Sequence, residues 1–263
     1  RPVAGRIRTV APPMSRHPVL DGARVLVTGG ASGIGEGFCR RFASLGANVL
    51  VADVADASSL ASAIGGTYRH LDVADPAGWD ALVASEDTFD VVALNAGVTT
   101  VPHVVGGAID QPLAAVGVGD YRRIMGVNVD GVVLGTMAVL PGMQARGGGQ
   151  ILVTASLAGL IPIPPEPIYG LTKHAVVGFV RSLGPALAPH GIAISALCPG
   201  FVDTPLVSDV SRELIHAFSL GMMPVDAVAD LAVRALEERQ PGALWTAIAG
   251  REPVRFEPAN PFP

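Results

Sequence analysis

Lysine is the scarcest chemistry in this sequence: of 18 basic residues in 263, 17 are arginine and one, Lys173, is lysine. Charged residues make up 16% of the chain and aromatic residues 5%, against 49% hydrophobic. So little charge beside so much apolar surface excludes a disordered chain, because burial can offset the entropy of ordering. Basic residues are outnumbered 18 to 23, and no basic run lies in the body of the chain. That excludes the phosphate-neutralising surface of a nucleic-acid binder. There are two cysteines, Cys39 and Cys198, far apart in apolar contexts. They read as reduced, buried thiols of a cytoplasmic protein and not as a disulfide framework. The six histidines show neither H-x-x-x-H nor paired Cys/His spacing, so no metal site is expected. The long uncharged run Gly147 to Pro165 carries Gln150, Thr154, Ser156 and three prolines, which argues against a membrane span.

Residues 1–20 hold Arg1, Arg6, Arg8 and Arg16, no acid and four prolines, and read as a flexible arm or an appended leader. They lack the apolar core of a secretory signal, and the prolines oppose an amphipathic transit helix. Residues 21–263 read as a single domain.

From Arg24 onward short β-branched runs alternate with longer amphipathic segments, the pattern of stacked βαβ units. Strands are predicted over Arg24–Thr28, Asn48–Asp53, Thr67–Asp72, Asp90–Leu94, Gln150–Ala155, Ile192–Leu197 and Leu244–Ile248. Helices are predicted over Gly33–Leu45, Ala57–Ile64, Pro76–Ala84, Asp120–Gln144, Ile168–Ala188 and Pro224–Glu238. The strand cores are continuously apolar, as expected where helices cover both faces. The fold class is therefore α/β, one doubly wound parallel seven-stranded sheet.

The first strand runs straight into Thr28-Gly29-Gly30-Ala31-Ser32-Gly33-Ile34-Gly35 and then a helix. In that context Gly29 permits the tight turn, Gly33 lets backbone approach a pyrophosphate, and Gly35 lets the helix pack on the strand. The helix N-terminus offers free N–H groups and positive dipole density to phosphates. Asp53 ends the second strand eighteen residues past Gly35, where a carboxylate can accept from the adenosine ribose hydroxyls. No basic residue adjoins it to receive a 2′-phosphate, so NAD is expected over NADP.

Lys173 lies four residues after Tyr169 at the start of a predicted helix, a spacing that puts both on one face. An ammonium beside a phenol favours the phenolate and lowers its pKa toward a range useful for proton exchange. In a chain that otherwise uses arginine, the lone lysine marks function, since a compact charge is not replaced by a guanidinium. Ser156 follows the fifth predicted strand at the carboxyl end of the sheet, where open α/β folds bind ligands.

Taken in order, the T-G-x-x-x-G-I-G turn, Asn95-Ala96-Gly97, Ser156, Tyr169-x-x-x-Lys173 and Pro199-Gly200 followed by Thr204 resemble the short-chain dehydrogenase/reductase family over Arg24 to Ala249. The resemblance implies a Rossmann-like fold and a catalytic group of Asn128, Ser156, Tyr169 and Lys173, with Asn128 holding a proton-relay water. It implies cofactor contacts from Gly29, Ser32, Gly33, Ile34 and Gly35, from Asp53, and from Asp72-Val73 at the adenine. Asn95, Ala96 and Gly97 would lie beneath the adenosine ribose, Tyr169 and Lys173 at the cofactor's reactive end, and Pro199, Gly200, Val202 and Thr204 at the nicotinamide. Thr172 departs from the serine common before the lysine, and Pro162, Pro164, Pro165 and Pro167 stiffen the approach to Tyr169. The family also implies pairing of long apolar helices across a two-fold axis, as a homotetramer or homodimer. The expected reaction is hydride transfer between NAD(H) and a small-molecule secondary alcohol or ketone, with Tyr169 as general acid–base. A carrier-bound acyl ketoreductase, a non-catalytic dinucleotide-binding protein and an S-adenosylmethionine methyltransferase are the alternatives.

The expected pocket lining is Leu157, Ile161, Ile163, Ile168, Phe201, Leu206, Leu214, Phe218, Met222 and Met223, with Glu166, Arg212 and His216 as its polar exceptions. Such a lining suits an uncharged, hydrophobic substrate under an adaptable lid.

Overall fold

The computed structural model describes residues 17–99, 113, 116–217 and 219–258, the side chains of Val210, Ser211 and Leu214 excepted. Residues 1–16 of the arm expected over 1–20, Phe218 and the Leu214 side chain lie outside the described residues.

Eight strands form one sheet: β1 (Arg24–Thr28), β2 (Asn48–Asp53), β3 (Thr67–His70), β4 (Val91–Leu94), β5 (Gly149–Thr154), β6 (Ile192–Pro199), β7 (Leu244–Ala247) and β8 (Val254–Phe256). Their order is β3-β2-β1-β4-β5-β6-β7-β8. The first seven are parallel, and β8 adds to β7 antiparallel, with Leu244 opposite Phe256. The chain winds outward from β1 to β3, then returns to place β4 against the other side of β1. That reversal opens a crevice at the carboxyl ends of β1 and β4, the place where doubly wound sheets bind ligands. Seven strands were expected. The eighth has three exposed residues between Pro253 and Pro258, too short and too wet to leave a hydrophobic pattern.

Helices α1 (Gly33–Ser44) and α8 (Val225–Glu238) cover one face of the sheet, where Phe38, Phe42, Val228 and Leu231 are buried. The other face packs under α3 (Pro76–Ser85) and the two long central helices, burying Trp79, Val132, Met143, Val176 and Val180. A short α2 (Ser58–Ala63) joins β2 to β3. The single helix expected over Asp120–Gln144 is instead α4 (Val118–Met125), a π-helical turn at Gly126–Asp130, and α5 (Gly131–Ala145). A Cβ on Gly131 would lie 2.7 Å from the Val73 side chain and one on Gly135 2.7 Å from Trp79, so tertiary packing sets the rotation of this helix. By length and composition the run Val118–Ala145 could cross a bilayer. Here α5 packs on α3, β4 and β5 as a core helix. The last helices are α6 (Pro167–Leu187), which opens on Pro167, and α7 (Asp209–Ala217), in a segment where no helix was expected.

Packing begins before the expected boundary at residue 20. Leu20 is fully buried, and His17 Nε2 lies 2.9 Å from Glu237 Oε1.

At the amino edge of the sheet Asp90 joins three elements. Its Oδ2 accepts from the Arg24 backbone N–H at 2.7 Å, and its Oδ1 pairs with Arg146. Desolvation pushes this carboxyl up, but Arg146 and Arg24 outweigh it, and its pKa lies below the usual 3.8. A depressed folded-state pKa means that the stabilisation is complete above 3.8 and is lost as pH falls below it. Asp90→Asn is expected to lower Tm at pH 7 by roughly 2–4 °C, the change that about 1 kcal/mol produces in a domain of this size. Calorimetry between pH 7 and pH 3 checks it: the gap between wild type and variant should narrow in acid, and a constant gap contradicts the assignment.

Candidate active site

At the crevice, Gly29 takes φ +62°, and a Cβ there would sit 2.7 Å from Ala96 Cα. A Cβ on Gly35 would lie 2.0 Å from the Gly29 carbonyl oxygen, and one on Gly33 3.2 Å from Thr204. The glycines therefore let the turn, the start of α1, the segment after β4 and the loop after β6 meet. Ser32, at the N-cap of α1, makes no side-chain capping bond, so the first-turn amides around Gly33, Ile34 and Gly35 face the crevice with the helix dipole behind them. This cradle, with backbone donors and no side-chain bulk, fits a dinucleotide pyrophosphate.

Asp53 is held at the rim. Its Oδ2 accepts from the Ala31 N–H and its Oδ1 from the Ala55 N–H, both at 2.9 Å. Each oxygen keeps capacity for a further donor, as ribose hydroxyls would require. Asp72 is exposed, its Oδ1 accepting from the Ala74 N–H at 2.9 Å. Val73 is 6% exposed and packs in the core, so only its backbone can serve an adenine.

The Asn95 side chain is committed to structure. Its Nδ2 donates to the carbonyls of Thr28 (3.2 Å) and Gly29 (3.3 Å), and its Oδ1 accepts from Thr154 Oγ1 (3.0 Å). The backbone N–H groups of Asn95 and Ala96 donate to Thr28 Oγ1. A ribose would therefore meet the remaining backbone of Asn95, Ala96 and Gly97 and not the Asn95 amide. Pro199 ends β6, the Gly200 N–H donates to the Ala247 carbonyl, and buried Thr204 Oγ1 donates to the Val202 carbonyl at 3.4 Å. Of these, Thr204 stands beside Gly33, where a Cβ would lie 3.2 Å from its side chain.

Ser156, Tyr169, Lys173 and Asn128 converge on the same crevice. Ser156 follows β5, and its Oγ accepts from the Ala158 N–H at 3.1 Å at the start of one 3-10 turn, Leu157–Gly159. Tyr169 stands in the first turn of α6, where the Ser156 side chain acts on its phenol and favours the ionised form. One turn on, Lys173 is 4% exposed, its Nζ 5.6 Å from the Tyr169 ring centroid and donating to the Thr154 carbonyl at 2.9 Å. Asn128, 1% exposed in the π-helical turn, donates from Nδ2 to the Val98 carbonyl and to Thr172 Oγ1. Both of its amide hydrogens are taken, so a relay water would have to be held by the backbone of that turn.

The electrostatics differ from the sequence expectation. Desolvation pushes the Tyr169 phenol up to about 12, with the Ser156 hydrogen bond opposing and Glu166 adding to the rise. Desolvation pulls Lys173 down to about 8. The lysine was expected to draw the phenol toward neutrality, but its ammonium lies over the ring and donates to Thr154, while burial strips water from both groups. Cys198, buried beside Lys173, is pushed up to about 12 by desolvation and is no nucleophile at neutral pH.

Of the residues expected to line the pocket, Ile161, Phe201 and Leu206 are all more than 40% exposed. Leu157, Ile163 and Ile168 are half-buried, and His216 is exposed. Arg212 is no free pocket cation. Its guanidinium donates to Asp203 Oδ1 (2.6 Å) and to the carbonyls of Thr204 (2.9 Å) and Val207 (3.3 Å), tying α7 to the loop after β6. Met222 and Met223 line a separate cavity of about 190 Å³ with Ala247, Ala249 and Pro253, which Ser156, Tyr169 and Lys173 do not line. Thr154 and the Val98 backbone hold the site together and were missed in the sequence, as was the bracing role of Thr28, which the quoted turn includes. Their only signal was position: each ends a strand or lies just after one.

Residues 23–214 match the family model described as short chain dehydrogenase. The chain belongs to the short-chain dehydrogenase family. It is 36% identical over 205 residues to oxidoreductase UcpA of Salmonella typhimurium, covering 74% of each chain. It is 34% identical over 225 residues to a 3-alpha-(or 20-beta)-hydroxysteroid dehydrogenase of Mycobacterium bovis, covering 81% of this chain and 82% of that one. Among solved structures, the 3-ketoacyl-(acyl-carrier-protein) reductase of Brucella melitensis complexed with NADH superposes with a TM-score of 0.79 at 29% identity, over 88% of this chain and 99% of that one. As a family member this protein is an oxidoreductase that binds a nicotinamide dinucleotide and acts on small molecules.

Because a Cβ on Gly35 would meet backbone at 2.0 Å, Gly35→Ala must displace the turn or the helix. NADH binding, followed by nicotinamide fluorescence, is expected to weaken at least about tenfold, a loss of about 1.4 kcal/mol. Unchanged affinity would show that the turn does not carry the cofactor.

Proposed function

We propose that this dehydrogenase interconverts an uncharged, hydrophobic secondary alcohol and its ketone using NAD(H), with Tyr169 as general acid–base. The observation that carries the reading is the desolvated Tyr169–Lys173 pair beside Ser156, with exposed apolar side chains, Ile161, Phe201 and Leu206, on the segments that follow β5 and β6. The nicotinamide, when bound, supplies the hydride chemistry. Everything else falls to the chain. The Ser156 hydroxyl and Tyr169 Oη would hold the substrate oxygen and stabilise charge developing on it. In reduction Tyr169 Oη gives its proton to that oxygen, and a phenol pushed up to about 12 carries the proton at neutral pH. In oxidation Tyr169 takes the proton from the alcohol. The apolar side chains exclude water from the transfer.

Asp53 supports NAD. Its neighbour Val54 is 59% exposed and Asp72 is exposed nearby, so a 2′-phosphate would meet negative charge. The commitment of Arg212 to Asp203 and Thr204 removes the basic anchor that a carrier-bound acyl substrate would want. Exposed Val118, Tyr121, Met137 and Leu171 on α4, α5 and α6 support pairing across a two-fold axis into a dimer or tetramer. The free, buried thiols of Cys39 and Cys198 support a cytoplasmic setting.

The test is initial rates with NAD and NADP on cyclic or aryl secondary alcohols, set against polyols and phosphorylated sugars. NAD should be preferred by about tenfold or more, and Asp53→Ala should narrow the gap. Equal kcat/KM with NADP, or activity confined to phosphorylated compounds, overturns the reading.

Tyr169→Phe should retain NADH binding and lose roughly 10²–10⁴ in turnover. In the unaltered enzyme kcat/KM for oxidation should rise with pH across the alkaline range, because the base form of a phenol near 12 grows with pH. A flat oxidation profile together with near-normal turnover of the Phe variant would remove Tyr169 from this role.

A further inference from the structure

The segment that follows β4 meets the catalytic helix through one buried side-chain chain. Asn128 mimics a strand partner to Val98: its Oδ1 accepts from the Val98 N–H at 2.8 Å, and its Nδ2 donates to the Val98 carbonyl at 2.9 Å. The second Nδ2 hydrogen goes to Thr172 Oγ1 at 3.1 Å, and that hydroxyl donates onward to the Tyr169 carbonyl at 2.7 Å. Thr172 is fully buried and Asn128 is 1% exposed, so no water replaces a lost partner there. Gly97, next to Val98, lies where a Cβ would be 3.5 Å from Asn128 Oδ1 and 3.6 Å from Lys173 Nζ.

We propose that Thr172 is a positioning residue that locks the Gly97–Val98 backbone, through Asn128, to the turn of α6 carrying Tyr169 and Lys173. The inference rests on the reading of Tyr169 and Lys173 above and adds to it a residue that touches neither substrate nor cofactor. A hydroxyl is required because it must accept from Asn128 and donate to the Tyr169 carbonyl at once. Valine has the same shape but does neither, and it leaves one Asn128 hydrogen buried without a partner. Released from Thr172, Asn128 no longer fixes Val98 relative to α6. The cofactor-facing backbone and the acid–base group then lose their common register, so cofactor affinity and turnover fall together while alcohol recognition at the rim does not.

The experiment compares Thr172→Val and Thr172→Ser with the unaltered enzyme by NADH titration, steady-state kinetics and thermal melting. Thr172→Val is expected to raise the NADH Kd about tenfold and lower kcat about tenfold, with KM for the alcohol within about twofold, since one unpaired buried donor is worth about that factor. Thr172→Ser should restore Kd and kcat to within about twofold of the parent. A valine variant with a lower Tm but unchanged Kd and kcat is a packing lesion and overturns the proposal, as does a serine variant no better than valine. If the valine variant does not fold, hydrogen exchange in the unaltered enzyme decides. Saturation with NADH should slow exchange in the Gly126–Gly131 turn at least severalfold, and unchanged exchange there overturns the proposal. An unaltered chain that neither binds NADH nor oxidises any alcohol removes the reading beneath it, which is a different result from an active enzyme indifferent to Thr172.

Discussion

Four residues after β4, Asn95 to Val98, hold the functional end of this fold together. At one end Asn95 binds the carbonyls of Thr28 and Gly29 and accepts from Thr154; at the other Val98 is paired to Asn128. Polar groups taken from water must be paired or they cost free energy, so each of these bonds is obligatory once the crevice is packed. The partners come from β1, the glycine turn, β5 and the π-helical turn, and no one of them can shift without orphaning another. The same segment explains why glycine is needed at position 29, whose Cβ would strike Ala96. The cradle that fits a dinucleotide and the proposed acid–base group are therefore one body.

Burial then sets the chemistry. Removing water raises the Tyr169 phenol and lowers the Lys173 ammonium, so the two move in opposite senses for a single reason. The resting chain keeps its proton on Tyr169, the state a ketone reductase needs. The charge of the lysine is anchored by the Thr154 carbonyl, the residue whose hydroxyl also holds Asn95. One threonine thus serves the acid–base group with its backbone and the cofactor segment with its side chain.

Much of this was legible in the sequence, for local reasons. The glycine turn, Asp53 at its strand end, and Tyr169 with Lys173 declare themselves through spacing and the rarity of lysine, and the parallel strands through continuous apolar runs. What was not legible depends on contacts between distant residues. The π-helical turn answers to Gly131 against Val73 and Gly135 against Trp79, which no periodicity records. Arg212 looks like a free cation in a loop until Asp203 and the loop carbonyls close on it. The Asn95 and Asn128 side-chain amides look free to meet a ligand in the sequence, and only the fold shows them bonded to Thr28, Gly29, Val98 and Thr172. The lysine–phenol pair was expected to behave as it would in water, and desolvation reverses the outcome.

The claim that the site is one body is tested most directly by a double-mutant cycle on NADH binding, with Thr154→Val, Thr172→Val and the pair. These hydroxyls grip opposite ends of the Asn95–Val98 segment, so losing either should free it and losing the second should add little. The account predicts that the double variant binds NADH with a smaller loss than the sum of the two, by more than the ~0.5 kcal/mol within which independent sites add. Losses that add within that margin would show two unconnected contacts and contradict it.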